Sequence, residues 1–136
     1  MEFSINYMTV GIAAVANFII GALWYGPLFG KTWMRLSGIT MESMKGMSMT
    51  PVKAMTLGFI GTLLLSLVLA HMAAAFEAAG AAGALELAFW IWLGFFLPVV
   101  AGGYLWEGKP LKLFLFNATH QFIALSVTAL ILVLWR

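Results

Sequence analysis

The 136-residue chain is predicted to be all-α, an integral membrane bundle of four transmembrane helices. Three observations carry that expectation. Hydrophobic residues make up 63% of the chain and charged ones 9%, where a soluble domain carries about 25% charged residues. Four apolar segments, about 5–26, 54–76, 86–106 and 111–135, each have the roughly 20 residues that cross a hydrocarbon core. Basic side chains also gather in alternate loops. Lys31, Arg35, Lys45 and Lys53 follow the first segment, and Lys109 and Lys112 follow the third. The loop after the second has none, and Arg136 stands alone at the end. The excess of lysine and arginine assigns the first and third loops to the cytoplasm and both termini to the extracytoplasmic side, and it argues against dual topology. The four segments leave no room for a second domain.

The first segment is read as a retained helix and not a cleaved signal peptide, because Met1 to Asn6 contain Glu2 and no basic side chain. Gly26-Pro27 ends it, since proline lacks an amide donor and disfavours helix at the preceding residue. Trp24, Tyr25, Lys31 and Trp33 read as its anchor at the membrane surface, where aromatic rings sit at headgroup level and lysine reaches water. Residues 28–36 alternate apolar and basic side chains and fit a short interfacial helix; a plain aromatic anchor is the competing reading. Residues 37–50 form a polar, methionine-rich linker, 77–85 a short Ala/Gly hairpin, and 107–110 a tight turn. The two halves show no repeat, so an inverted-repeat transporter plan has no support.

Small residues recur every fourth position on three segments. They are Thr9, Ala13, Asn17 and Gly21 on the first, Gly94, Pro98 and Gly102 on the third, and a longer row on the second: Ala54, Gly58, Thr62, Ser66, Ala70, Ala74 and Ala78. Such rows let helix backbones approach in lipid. The long row drifts around its helix and should serve two neighbours, one within the chain and one in a second copy, so a homo-oligomer is expected. Pro98 should kink the third segment and free a carbonyl near mid-membrane.

Polar side chains at depth are the candidate binding residues. Counting about 1.5 Å per residue from the segment ends places Asn17, Asn117, His120 and Gln121 in a polar layer near the bilayer middle. That layer could bind or pass a small solute or lipid. The competing reading is that these groups hydrogen-bond between helices and hold the bundle in register. His71 lies nearer the outer end and reads as interfacial. No metal site is expected, since two histidines at different depths make a poor zinc set. Met41, Met44, Met47 and Met49 offer soft thioethers, yet methionine also serves as flexible filler. No paired carboxylates, aligned catalytic triad or phosphate loop is present, so no catalytic residue and no cofactor is assigned. Glu107 reads as an interfacial ion-pair partner of Lys109 and Lys112. The small multidrug exporters, also four short helices, need a glutamate buried in the first helix, where this chain has Asn17. Nucleic-acid binding has no support; the expected partners are lipid, further copies of the chain and a membrane-protein partner.

The pattern Asn6-Tyr7, the block GALWYGPLFGKTW at 21–33, Gly38-Ile39-Thr40 and Glu107-Gly108-Lys109-Pro110 together resemble the domain of unknown function 1761 family of small, mostly bacterial, four-helix membrane proteins. The resemblance covers nearly the whole chain and implies a bacterial cytoplasmic membrane. It lends no catalytic or binding residue. The expected function is a non-enzymatic membrane protein that binds or passes a solute or lipid, with a structural or accessory subunit as the alternative.

Overall fold

The computed structural model describes residues 3–136; Glu2, used in the reading of the first segment, lies outside the described residues. The described chain is helical throughout, with α1 (Tyr7–Leu23), α2 (Gly30–Ser37), α3 (Met41–Lys45), α4 (Pro51–Ala75), α5 (Gly80–Ile91), α6 (Leu97–Trp106) and α7 (Leu111–Leu134). Widened turns of π type, Trp24–Leu28 and Trp92–Phe96, extend α1 and join α5 to α6. Four spans result: Tyr7–Leu28, Pro51–Ala75, Gly80–Trp106 and Leu111–Leu134, each long and apolar enough to cross a membrane.

Local chemistry sets most of the ends. Asn6 Oδ1 accepts from Thr9 N at 3.3 Å, and Thr50 Oγ1 accepts from Lys53 N at 3.3 Å with Pro51 opening α4. The second span therefore starts three residues before its expected position. The third starts at Gly80, so most of the expected Ala/Gly hairpin is helix. Alanine is the strongest helix former, and a helix satisfies backbone groups that lipid cannot. The interfacial helix forms as α2, close to its expected range, with Lys31 and Arg35 exposed.

The spans alternate in direction. α7 is central and packs against α1, α4, α5 and α6, while α1 also packs against α4. The main apolar cluster lies toward the end that carries the termini, and Leu113 and Ala118 of α7 are buried outside it. In that cluster Val10 and Ala13 meet Leu69 and Ala73, Ala84 to Ile91, and Leu125 to Val133. Ser66 Oγ donates to the Val10 carbonyl at 2.8 Å, Thr9 Oγ1 to the Trp135 carbonyl at 2.7 Å, and Arg136 to the Ala78 carbonyl. Toward the other end the bundle is loosely packed. No residue of α4 before Ser66 is buried, and none of α6 is.

The small-residue rows divide accordingly. Thr9, Asn17 and Gly21 of the α1 row all meet α7 or the residue after it. The α4 row packs only in its second half, and nothing in the chain lies within 4 Å of a Cβ built at Gly58 or Gly61. Gly94 and Pro98 of the third row are exposed. The break at Pro98 is absorbed by the π turn just before it, where Leu97 N bonds the Trp92 carbonyl. Trp92 Nε1 in turn donates to the Ala118 carbonyl of α7 at 2.9 Å.

The α4–α5 connection ends α4 with paired bonds from Ala78 N to Ala73 O (2.9 Å) and Glu77 N to Ala74 O (3.1 Å). Glu77 sits there at φ 53, the position that usually takes glycine. Glu77→Gly is therefore expected to stabilise the fold by about 1 kcal/mol, measured by denaturant titration of helicity in micelles. In the same assay Ala13→Leu, at a site with 0% exposure, should cost about 1–3 kcal/mol by overpacking. Gly58→Leu should leave the fold intact, because its added side chain enters open space.

Candidate functional site

The site is built where α1 leaves its regular course. Gly26 adopts φ −114 and ψ −110, Pro27 supplies no amide donor, and Phe29 N bonds Trp24 O across five residues at 3.1 Å. This turn carries Trp24 and Tyr25 against α7. Tyr25 stands edge-on to His120, with ring centroids 5.0 Å apart, and to Phe116 at 5.8 Å. Trp24 packs on Phe29 at 4.7 Å, on Phe116 at 5.2 Å and on His120 at 5.9 Å. Trp33 of α2 closes over Tyr25 at 5.8 Å. The imidazole lies against Gly21, where a Cβ would be in van der Waals contact with His120 Nε2 at 3.5 Å.

Trp24 and Tyr25 are half-buried walls of this inter-helix cluster. Lys31 alone among the four anchor residues is exposed. The row of small residues on α1 continues by another step of four from Gly21 to Tyr25. That periodicity was the available signal that Tyr25 faces α7.

The expected polar layer separates into pairs. Asn17 Nδ2 donates to Thr128 Oγ1 at 2.9 Å, and Thr128 Oγ1 donates to the Ala124 carbonyl at 2.7 Å. Asn117 Oδ1 accepts from the Tyr25 hydroxyl at 2.7 Å. His120 meets Gly21, one turn beyond Asn17 on α1. Asn17 and His120 part for a geometric reason: side chains lean toward the N-terminus of their own helix. On antiparallel helices, residues of equal depth lean in opposite directions. Thr128, absent from the sequence reading, is the true partner of Asn17.

Two buried groups of the cluster have no hydrogen-bond partner among the described residues: Trp24 Nε1 and His120 Nε2. Gln121 Oε1, adjacent in sequence, is also unpartnered. A buried polar atom without a partner costs about 1–3 kcal/mol, so this cluster has unused capacity to bind. His71, by contrast, is engaged with its own helix, Nδ1 lying 2.8 Å from the Leu67 carbonyl.

Beside the cluster lies a cavity of about 310 Å³ between α6 and α7. Val100, Leu113 and Phe114 form apolar wall; Tyr104, Glu107, Lys109 and Asn117 bring polar groups. Asn117 belongs to both cavity and cluster. Glu107 and Lys109 fold over Gly103, whose built Cβ would lie 3.5 Å from Glu107 Oε2 and 3.7 Å from Lys109 Cγ. The tight turn behind them is closed by Lys109 N on the Gly103 carbonyl at 3.0 Å. The expected ion pair of Glu107 with Lys109 or Lys112 is not formed among the described residues, because the turn directs both chains over Gly103. Among the described residues no three His, Cys, Asp or Glu side chains group as metal ligands. Met41, Met44, Met47 and Met49 are all exposed on the linker.

The Tyr25–Asn117 bond has a measurable worth. Tyr25→Phe and Asn117→Leu should each cost about 0.5–1.5 kcal/mol. The double variant should cost little more than either one, read by denaturant titration in micelles.

No curated protein and no solved structure shows significant similarity to the chain. A family model described as protein of unknown function (DUF1761) matches residues 8–133. Spanning nearly the whole four-helix unit, that match means that the chain belongs to the DUF1761 family.

Proposed function

We propose that this membrane protein binds a small polar solute in the cavity between α6 and α7, with Asn117 as the contact between the cavity and the His120 cluster. The observation that carries this reading is the conjunction at Asn117. An amphipathic cavity lined by Glu107 and Lys109, which form no ion pair among the described residues, abuts a cluster whose Trp24 Nε1 and His120 Nε2 have no partner among those residues. A dry, fully satisfied bundle would have neither. The two free charges of opposite sign favour a solute that carries both a donor and an acceptor group, and Tyr104 and Asn117 add neutral hydrogen bonds. Asn17, satisfied by Thr128, serves as an inter-helix strut. The function is binding or passage and not catalysis, since no nucleophile, base and orienting group stand together. The family resemblance favours a bacterial cytoplasmic membrane, and the loop charges favour both termini outside, which puts this cavity at the cytoplasmic end.

A second reading, a structural or accessory subunit, draws on the bare half of α4. Val52, Met55, Leu57, Ile60 and Leu64 are exposed there beside Gly58 and Gly61. Another copy of the chain or a different membrane protein could pack on this face.

Native mass spectrometry of the purified protein separates the two readings. The wild type and Leu115→Ala, altered at an exposed site on α7, should retain the same small polar molecule. Asn117→Leu should lose it, and Gly21→Leu, which crowds His120, should weaken its retention. A wild type that carries no such molecule, or an Asn117→Leu variant that carries it unchanged, would overturn the solute reading. Copurification of only a protein subunit would favour the second.

A further inference from the structure

A cavity larger than the one between α6 and α7 lies at the opposite end, and the solute reading does not use it. It measures about 620 Å³ and is bounded by the end of α4, the α4–α5 connection, α5 and the following turn. Its volume is that of a site for a drug-sized molecule. Met72, Phe76, Trp90 and Phe95 line it, and all three aromatic rings are largely exposed, at 69%, 60% and 69%. Two carboxylates, Glu77 and Glu86, also line it, and no lysine or arginine does. Arg136, the nearest cation by its bond to the Ala78 carbonyl, makes no ion pair with either glutamate among the described residues.

We propose that this groove is a binding site for a lipophilic cation, a molecule with an apolar body and a positive charge. The charge complementarity is one-sided. Two carboxylates outnumber the one basic neighbour among the described residues, Arg136 on the Ala78 carbonyl, so the wall attracts a cation and opposes the phosphate of a phospholipid headgroup. Aromatic faces beside carboxylates suit a bulky onium ion, which is drawn to the ring quadrupole without needing hydrogen bonds. The apolar remainder of the wall takes the hydrocarbon body out of water. Glu77 also keeps its carboxylate at this groove from a backbone position where glycine would be less strained.

Two probes of the same shape and opposite charge test the site: tetraphenylphosphonium and tetraphenylborate. The full chain is reconstituted in phosphatidylcholine nanodiscs, each ion is titrated calorimetrically, and the signal of empty nanodiscs is subtracted. Tetraphenylphosphonium is expected to bind saturably at one site per chain, and tetraphenylborate only to partition without saturation. Glu77→Gln combined with Glu86→Gln should weaken the phosphonium affinity by at least about tenfold. Glu42→Gln, on the distant linker, should leave it unchanged. Both glutamates are exposed, so the glutamine pair should retain wild-type helicity. Trp90→Ala, at an exposed ring, should weaken the cation without changing borate partition. Saturable borate binding of equal strength, no saturable phosphonium binding, or undiminished affinity in the double glutamine variant would each overturn the proposal.

Discussion

The antiparallel contact of α1 with α7 is the constraint on which the rest of the structure depends. Between two helices in lipid there is no hydrophobic drive, because lipid tails are as apolar as leucine. Close approach must supply the attraction, and only small side chains permit it. The α1 row meets that need with Thr9, Ala13, Asn17 and Gly21. Its polar members also fix the axial register. Thr9 reaches the Trp135 carbonyl, Asn17 reaches Thr128, and one step beyond the row Tyr25 reaches Asn117. A shift by one residue would break all of these bonds together. Once α1 is set on α7, α4 fits against both and α5 closes the other side of α7.

This contact is tight at one end and filled with rings at the other. Toward the termini, alanines and β-hydroxyl residues bring four helices together around the apolar core. Past Gly21 the row gives way to Trp24 and Tyr25, and the helix itself widens into a π turn. Large rings in place of methyl groups hold the helices apart. α6 follows α7 without burying any of its own residues, and α4 buries none before Ser66, its Phe59 meeting only Phe18 among the aromatic rings of α1. The cavity between α6 and α7 lies in this half. Packing density, not any single residue, locates it.

The polar residues of the interior fall into satisfied and unsatisfied sets, and the distinction separates support from candidate chemistry. Asn17 and Thr128 satisfy each other; Ser66, Thr9 and Trp92 each find a carbonyl. His120 and Trp24 keep unpartnered nitrogens at the junction of the tight and open halves. A bundle held together by hydrogen bonds alone would have no reason to leave these two buried and unused. The groove at the far end follows a different logic, in which exposed rings and exposed carboxylates face lipid and water.

The sequence by itself pointed to four spans, a tight turn at 107–110 and a row of small residues along α1, and it offered a short helix over 28–36 as one of two readings. Each of these rests on short-range properties: apolar length, helix propensity, proline geometry and a four-residue period. It also named Asn117, His120 and Gln121 as polar groups at depth. Only the tertiary structure decided which of them meet. Residue spacing fixes the face of a helix, but the partner across an antiparallel contact depends on axial offset and on the opposed lean of the side chains. So Asn17 found Thr128 instead of His120. Trp24 and Tyr25 meet α7 through the π turn that holds Gly26 and Pro27, a contact that local spacing does not specify.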